Sequence, residues 1–515
     1  MPNSVDFGGR PFHFIGIGGI GMSALAYVLA KRGLPVSGSD LRLSHITQRL
    51  QENGAHIFWS QEPANLEFFQ SKTITAQPVA VPTARSLTAS VETRVSKQPE
   101  VSYSRSVSKL PQVICSTAIH SNNAEYQAAL ELGCPIFHRS DVLAGLMQDY
   151  QGIAVAGTHG KTTTSSLIGY LMVQAGLDPT IVVGGEVNVW QGNARVGQGS
   201  HLVAEADESD GSLVKLTAQI GIITNIELDH PDHYSSLDEV VEIFQTFTQN
   251  CQTVIGCLDC PTVRDRLPPT ISYSLDPNRG ADYTVDCITY RAEGTIARVW
   301  ERGAILGRLN VKLLGQHNLS NALAAVAVGR LLGLEFSVIA QAIAIFEGAR
   351  RRFERRGEYN GILFVDDYAH HPSELRATLA AARLQIQDTP VCPWKRVVAI
   401  FQPHRYSRTQ TFLAEFAEAF GDADMVVLSD IYSAGEPNPG NLTGEQVASL
   451  VAQHHPQVYY QASLPSISQF LSQVLMPGDI ALFLGAGNLN QLIPEVMAFH
   501  QGIEQSLSQT WCNQA

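Results

Sequence analysis

The sequence predicts an α/β protein built as three successive domains. Two glycine-rich turns, each set between an apolar strand-like run and a helix-like run, predict the first two domains, and four later apolar runs ending in polar loops predict the third. A chain of 515 residues suits that division, since a domain takes roughly 100–200 residues. The formal net charge of −13 excludes a surface built to neutralise a nucleic-acid backbone. Eight cysteines without framework spacing point to reduced thiols and a cytoplasmic location. The one tight pair, Cys257 and Cys260, has no second pair or histidine cluster nearby to complete a zinc site.

The first domain, expected over 1–148, opens with Phe12-His13-Phe14-Ile15, then a Gly-x-Gly-x-x-Gly turn through Gly16, Gly18, Gly19 and Gly21, and an apolar helix to about Arg32. A second short strand over 35–40 ends at Ser39 and Asp40. The arrangement is Rossmann-like: glycines admit a diphosphate against a helix N-terminus, and an acid about twenty residues on can accept from ribose hydroxyls. Phe12 to Ala30 carries no charge and could pass for a membrane span, but glycines at loop spacing break it, so no membrane insertion is expected. From 71 to 109 the composition turns to Ser, Thr, Val and Pro, which predicts an inserted mobile loop.

The second domain, expected over 149–347, begins with the run Ile153-Ala154-Val155-Ala156 and the loop Gly157-Thr158-His159-Gly160-Lys161-Thr162-Thr163-Thr164, followed by a helix start. This is a phosphate cradle of the P-loop ATPase type, although Val155 stands where the strict pattern has its first glycine. Backbone N–H groups converge on an anion, Lys161 reaches the outer phosphates and Thr162 can ligate Mg²⁺. Two later strands deliver Glu205 to Asp210 and Asn225 to His233 at their carboxyl ends, where a parallel sheet places its ligand crevice. Glu205 and His230 are the expected metal and phosphate groups, with Asp207, Glu208 and Asp210 open to a plain solvated-turn reading. Residues 273–314 read as an added antiparallel patch, and Gly315 to Ala322 leads into an apolar helix.

The third domain, expected over 348–515, is a Rossmann-like α/β domain. It starts near Gly348, with the cluster Arg350-Arg351-Arg352 at the domain boundary, where an arginine can close over a nucleotide bound next door. Its strands deliver Asp366 to Pro372 and Gln402 to Arg408, and the set His404, Arg405 and Arg408 suits a small carboxylate substrate.

Taken in order, the glycine turn with Met22-Ser23, Gly157 to Thr164, Glu205 to Asp210, Asn225 to His230, Gly315 to Ala322, Arg351-Arg352-Phe353, Asp366 to Pro372 and Gln402 to Thr409 resemble the motifs of the Mur ligases. The resemblance spans nearly the whole chain except 71–109. It implies ATP- and Mg²⁺-dependent amide formation in cytoplasmic peptidoglycan precursor synthesis. A carboxylate of UDP-N-acetylmuramate attacks the γ-phosphate of ATP, and an amino acid's amine then displaces phosphate from the acyl phosphate.

By that resemblance Lys161, Glu205 and His230 are catalytic; Thr162 and Glu205 hold one Mg²⁺, and His230 a second metal. Gly157, Thr158, His159, Gly160, Lys161, Thr162, Thr163, Asn321, Arg352 and Asp367 bind ATP. Gly18, Gly19, Gly21, Ser39 and Asp40 fall in the UDP-sugar site, and His404, Arg405 and Arg408 in the amino-acid site. Several sister ligases carry a modified lysine soon after the Asp-His pair, and none stands between Ile226 and Cys251 here, which points to the branch that adds L-alanine. Asn488 stands where the family pattern has Asp, so it receives no role. Monomer and homodimer are both compatible with the resemblance. A nicotinamide oxidoreductase would leave Gly157 to Thr164 without a use, a regulatory ATPase would release phosphate without either acceptor, and the branch that recycles a preformed tripeptide has a different glycine turn.

Overall fold

Three sheets carry the chain, and the computed structural model describes residues 4–71, 110–386, 392–438 and 440–512. All but the first residue of the expected insertion 71–109 lies outside them. The chain divides into two compact units, Met1–Leu146 and Met147–Ala515. The first holds one sheet and the second holds two, giving a three-domain α/β architecture.

In the first unit β1 (Phe12–Ile15), β2 (Val36–Ser39), β3 (His56–Phe58), β4 (Gln112–Cys115) and β5 (Ile136–His138) form an all-parallel sheet in the order β3-β2-β1-β4-β5. The order reverses at β1, so the glycine turn after it opens at the switch point where such sheets bind ligands. Every residue of β1 and β2 is buried, as expected of central parallel strands. His13 inside β1 is therefore obliged to find partners: Ser37 Oγ at 2.8 Å and Glu125 Oε1 at 2.7 Å.

In the second unit β6 (Gln151–Ala156), β7 (Thr180–Val187), β8 (Gly192–Arg195), β9 (His201–Glu205), β10 (Ala218–Ile223), β11 (Cys251–Cys257), β12 (Ile271–Ser274), β13 (Tyr283–Arg291), β14 (Gly294–Glu301) and β15 (Ala304–Val311) make a ten-stranded sheet. Its order is β15-β14-β13-β12-β11-β10-β6-β9-β7-β8, with β6 parallel to both β10 and β9. The phosphate loop thus leaves the strand at which the order reverses. Antiparallel pairing of β13, β14 and β15 forms the added patch. The helix Lys161–Gln174 after the loop is buried without interruption from Thr162 to Met172, which makes it a core helix rather than an amphipathic cover. Leu167, Ile168, Leu171 and Met172 are each at most 1% exposed, worth ~1.5–3 kcal/mol apiece, so the loop rests on a rigid support.

The remaining sheet joins β16 (Glu354–Tyr359), β17 (Ile362–Asp367), β18 (Arg396–Phe401), β19 (Met425–Leu428), β20 (Val458–Tyr460) and β21 (Asp479–Leu484) in the order β16-β17-β21-β18-β19-β20. Only β16 runs antiparallel to its neighbour, and the carboxyl ends of β17 and β18 deliver the polar groups of the site. Among the described residues, no helix is long and apolar enough to cross a membrane.

Candidate functional site

The phosphate loop is stitched to the segment that follows β10. Thr158 N donates to Asn225 O at 3.0 Å, His159 N to Asn225 Oδ1 at 2.8 Å, and Thr224 Oγ1 to His159 O at 2.6 Å. Thr158 Oγ1 accepts from Glu227 N at 2.9 Å. Gly160 caps the helix at φ +80°, a left-handed conformation, and a Cβ on it would stand 2.7 Å from Asn321 Oδ1. Glycine is thus required both by the turn and by the approach of Asn321, which is 6% exposed and bonded to Asn318 Oδ1 at 3.2 Å.

Lys161 folds back over its own loop. Its Nζ donates to Gly157 O at 2.7 Å, to Thr158 O at 3.1 Å and to Glu208 Oε1 at 2.8 Å. Burial alone would lower its pKa, but Glu208 and the neighbouring Asp207 and Glu205 more than offset that, so the ammonium stays charged. Glu208 is only 2% exposed, so the solvated-turn reading does not hold for it; burial pushes its carboxyl up to about 7 against the pull of Lys161. One residue on, Thr162 Oγ1 donates to Glu205 Oε1 at 3.0 Å, and Gly184 N donates to Glu205 Oε2 at 2.6 Å. Thr162 and Glu205 therefore present two hard oxygens side by side, a donor set that fits Mg²⁺. His230 has φ +52°, with its Nε2 3.6 Å from Asp229 Oδ2, and burial lowers its pKa, which keeps the imidazole neutral and able to act as a ligand.

The third sheet brings a second set to the same loop. A cavity of ≈ 220 Å³ is lined by His159, Gly160, Asn321, Arg352, Phe353 and Asp367 among others, and Thr163 also borders it. Asp367 accepts from Phe353 N at 2.7 Å and from Ala369 N at 2.8 Å, and burial pushes its pKa up to about 6 against the pull of Arg352. Arg352 lies over the Tyr368 ring at 5.3 Å, flanked by Arg351 at φ +57° and Phe353 at φ +50°. Two consecutive-but-one residues in the left-handed region cost about 1–3 kcal/mol each and cluster where a side chain must be aimed.

His404, Arg405 and Arg408 also come together, each tied to acids or rings. Arg408, 2% exposed, donates from Nε to Asp229 Oδ1 at 2.8 Å and approaches His404 Nδ1 at 3.4 Å. Arg405, at φ +70°, pairs with Asp232 at 2.6 Å and Glu436 at 3.0 Å. Burial, with His370, Arg408 and Arg405 nearby, presses the His404 pKa down to about 3, and burial brings that of His370 to about 4. These contacts with Asp229 and Asp232, together with Ser373 Oγ to Glu227 Oε2 at 2.6 Å, explain why two sheets form one compact unit.

In the first unit Gly18 N donates to Asp40 Oδ2 at 2.8 Å, and a Cβ on Gly18 would lie 2.7 Å from that oxygen. Asp40 thus shapes the glycine turn with one oxygen. Gly19 begins the helix Ile20–Lys31 as its N-cap, and Gly21 packs near Arg139. Ser39 is fully buried and its hydroxyl donates to Glu125 Oε2 at 2.5 Å, because a strand buried on both faces leaves its side chain no exposed side.

Family models match in the same order as the three sheets. One described as "Mur ligase family, catalytic domain" matches residues 11–151, "Mur ligase middle domain" matches 155–329, and "Mur ligase, glutamate ligase domain" matches 351–487. The chain belongs to the Mur ligase family. The UDP-N-acetylmuramate–L-alanine ligase of Nostoc punctiforme is 67% identical to this Mur ligase over 497 residues, covering 96% of this chain and 98% of that one. The protein of that name from Trichodesmium erythraeum is 62% identical over 528 residues, covering 97% and 98%. A crystal structure of a UDP-N-acetylmuramate–alanine ligase from Thermotoga maritima superposes with a TM-score of 0.75 at 25% identity, over 96% of this chain and 99% of that one. A murein peptide ligase from Psychrobacter arcticus shares the fold, with a TM-score of 0.66 at 21% identity over 96% and 99%.

Sequence reasoning missed one acid at the centre of this Mur ligase's site. Glu374 accepts from His370 N at 3.0 Å and from His159 Nδ1 at 3.2 Å, and lies 3.9 Å from Arg352 Nη1. A signal existed: His371-Pro372-Ser373-Glu374 has the spacing of a capping box, and Glu374 closes that box at the start of the helix Pro372–Arg383.

Proposed function

We propose that this Mur ligase joins L-alanine to the lactyl carboxylate of UDP-N-acetylmuramate, cleaving ATP to ADP and phosphate, in cytoplasmic peptidoglycan precursor synthesis. Relatives with that activity in their names are 60–67% identical over 96–97% of the chain. The observation that carries the reading is the placement, within one unit, of a phosphate-loop lysine, the Thr162–Glu205 oxygen pair and the paired arginines Arg405 and Arg408.

Lys161 belongs to the phosphate loop, and its ammonium offsets charge gathering on the transferring γ-phosphoryl group as the sugar carboxylate attacks phosphorus and the bond to the β-phosphate breaks. Thr162 and Glu205 would hold Mg²⁺, which supplies further charge neutralisation when bound, and His230 offers a neutral nitrogen to a second ion. Asn321 and Asp367 border the cavity for the nucleoside, and Arg352 closes it. Arg405 and Arg408 take the alanine carboxylate. The alanine ammonium must lose a proton before its nitrogen attacks the acyl carbon and phosphate leaves. Asp40 and the Gly18 to Gly21 turn receive the UDP moiety.

The test follows ADP release from ATP, Mg²⁺ and UDP-N-acetylmuramate with L-alanine, glycine, L-serine or a murein tripeptide. Alanine is expected to exceed glycine by roughly 10–200-fold in kcat/KM, the value of one methyl group in a fitted pocket. Turnover with the tripeptide alone, or ADP release without any amino acid, overturns the reading.

A further inference from the structure

The histidine of the phosphate loop meets a second histidine and an acid that the ligase reaction does not use. His159 Nε2 lies 3.5 Å from Glu227 Oε2, outside hydrogen-bond geometry, and His371 Nδ1 lies 3.9 Å from the same oxygen. One donor atom from each of the three residues can be chosen so that all lie within 4.8 Å of one another, and the two rings are 4.7 Å apart. His371 is 4% exposed, and both its Nε2 and that of His159 are buried without a hydrogen-bond partner among the described residues. An unsatisfied buried nitrogen is costly, so the His159 Nε2 beside a carboxylate needs a reason.

We propose that His159, Glu227 and His371 form a divalent-metal site of two imidazoles and one carboxylate, suited to Zn²⁺ or a similar borderline ion and separate from the oxygen-lined Thr162–Glu205 pair. Zinc bonds of about 2.0–2.2 Å in a tetrahedron space neighbouring donors roughly 3.3–3.6 Å apart, so the 3.5 and 3.9 Å separations need only small side-chain rotations. Second partners are already in place. Glu374 Oε1 sits 3.2 Å from His159 Nδ1, the carboxylate–histidine arrangement that orients metal ligands, and Ser373 Oγ holds Glu227 Oε2 at 2.6 Å. His371 Nδ1 gives up only a 3.3 Å contact from Ser373 N.

The competing occupant is a proton. Burial lowers the His159 pKa, but Glu227 and Glu374 reverse that and carry it to about 10, so the metal displaces a proton from a carboxylate-held imidazolium. The three ligands come from the phosphate loop, the segment after β10 and the start of the helix Pro372–Arg383. An ion bound to all three staples the loop to that helix and holds His159 out of the nucleotide cavity. Zn²⁺ therefore inhibits the ligase by competing with ATP, a consequence that rests on the function proposed above, whereas binding of the metal does not.

The experiment titrates the full-length protein with Co²⁺ in millimolar Mg²⁺ and reads visible absorption, then displaces Co²⁺ with Zn²⁺. One Co²⁺ per chain is expected, with ligand-field bands and no intense thiolate charge-transfer band. Its affinity falls at least tenfold in Glu227→Gln and in His371→Ala, each checked for native circular dichroism, and is retained in Glu205→Gln. No bound Co²⁺ in the presence of Mg²⁺, a thiolate band, or affinity unchanged in both Glu227→Gln and His371→Ala would overturn the site and leave a protonated ion pair as the reason for the cluster. In a second arm, Zn²⁺ raises the apparent KM for ATP in the unsubstituted enzyme. Co²⁺ binding without this inhibition would fault the clamp and spare the metal site, and absent ADP release under all conditions would fault the ligase assignment alone.

Discussion

Asp229→Asn is the substitution that most directly tests how the central and C-terminal sheets are held together. Asp229 is 5% exposed and Arg408 2%, with 2.8 Å between Oδ1 and Nε. At an effective dielectric of about 20, unit charges at that separation attract by ~6 kcal/mol. Asparagine retains one oxygen for the hydrogen bond, worth ~1 kcal/mol, and Glu374 and Asp232 still act on Arg408. What remains is close to the roughly 3–5 kcal/mol typical of a buried charge stripped of its partner. Equilibrium urea unfolding should therefore show a loss of about 3 kcal/mol in the unit Met147–Ala515. Adding Arg408→Met should recover most of it, because the uncompensated charge is then gone. Burial raises the pKa of Asp229, but Arg408 outweighs it and holds the value well below the usual carboxylate range. The stabilisation is thus present above the unfolded value of ~3.9 and is lost as pH falls through the depressed folded value. A loss under ~1 kcal/mol, or a double variant no more stable than Asp229→Asn, would refute the assignment.

Gly160→Ala places a methyl group in the left-handed region at a cost of ~1–2 kcal/mol, which lowers the unfolding midpoint, and drives it against Asn321 Oδ1, so KM for ATP should rise at least tenfold; an unchanged KM would remove Asn321 from the nucleotide site. Asp232→Asn frees Arg405 from a half-exposed competitor worth up to ~1 kcal/mol, so the KM for alanine should fall by up to about fivefold in steady-state assays while that for ATP holds. Nucleotide binding draws Lys161 from Glu208, whose pKa then rises from about 7, so calorimetry in buffers of differing ionisation enthalpy should record proton uptake near pH 7.5; equal uptake by Glu208→Gln would show that the proton goes elsewhere.

What could be read from the sequence was whatever a local pattern dictates. The strand–turn–helix units around Gly18 and Gly160 follow from glycine spacing and apolar runs, and each stands where its sheet reverses order. Which acid in Glu205 to Asp210 is buried could not be read that way. Glu208 is enclosed because Lys161 bonds its carboxylate and Tyr234 Oη its backbone oxygen, contacts that join residues distant in the chain. That the Ser39 hydroxyl turns to Glu125, 86 residues away, follows from burial of both faces of β2 and could not be read from its neighbours in sequence. The union of two sheets in one unit rests on pairs such as Asp229 with Arg408, 179 positions apart, which no local composition announces.

A common principle links the cations of the site. Lys161 is held by Glu208, Arg408 by Asp229, Arg405 by Asp232 and Glu436, and Arg352 stands near Glu374. A chain with a net charge of −13 can keep so many cations ready for anionic substrates only by lending each a carboxylate. Binding is then an exchange, in which a phosphate or an amino-acid carboxylate replaces an internal oxygen that is already charged and already desolvated. The net affinity from each exchange is a difference between two charge-assisted contacts, much smaller than either. Such an arrangement favours the transition state over the ground state. On the function proposed above, a carboxylate can match a ground-state phosphate oxygen for the lysine, but not the extra charge that gathers on the γ-phosphoryl group during transfer, so the full worth of Lys161 would be released only as the bond breaks.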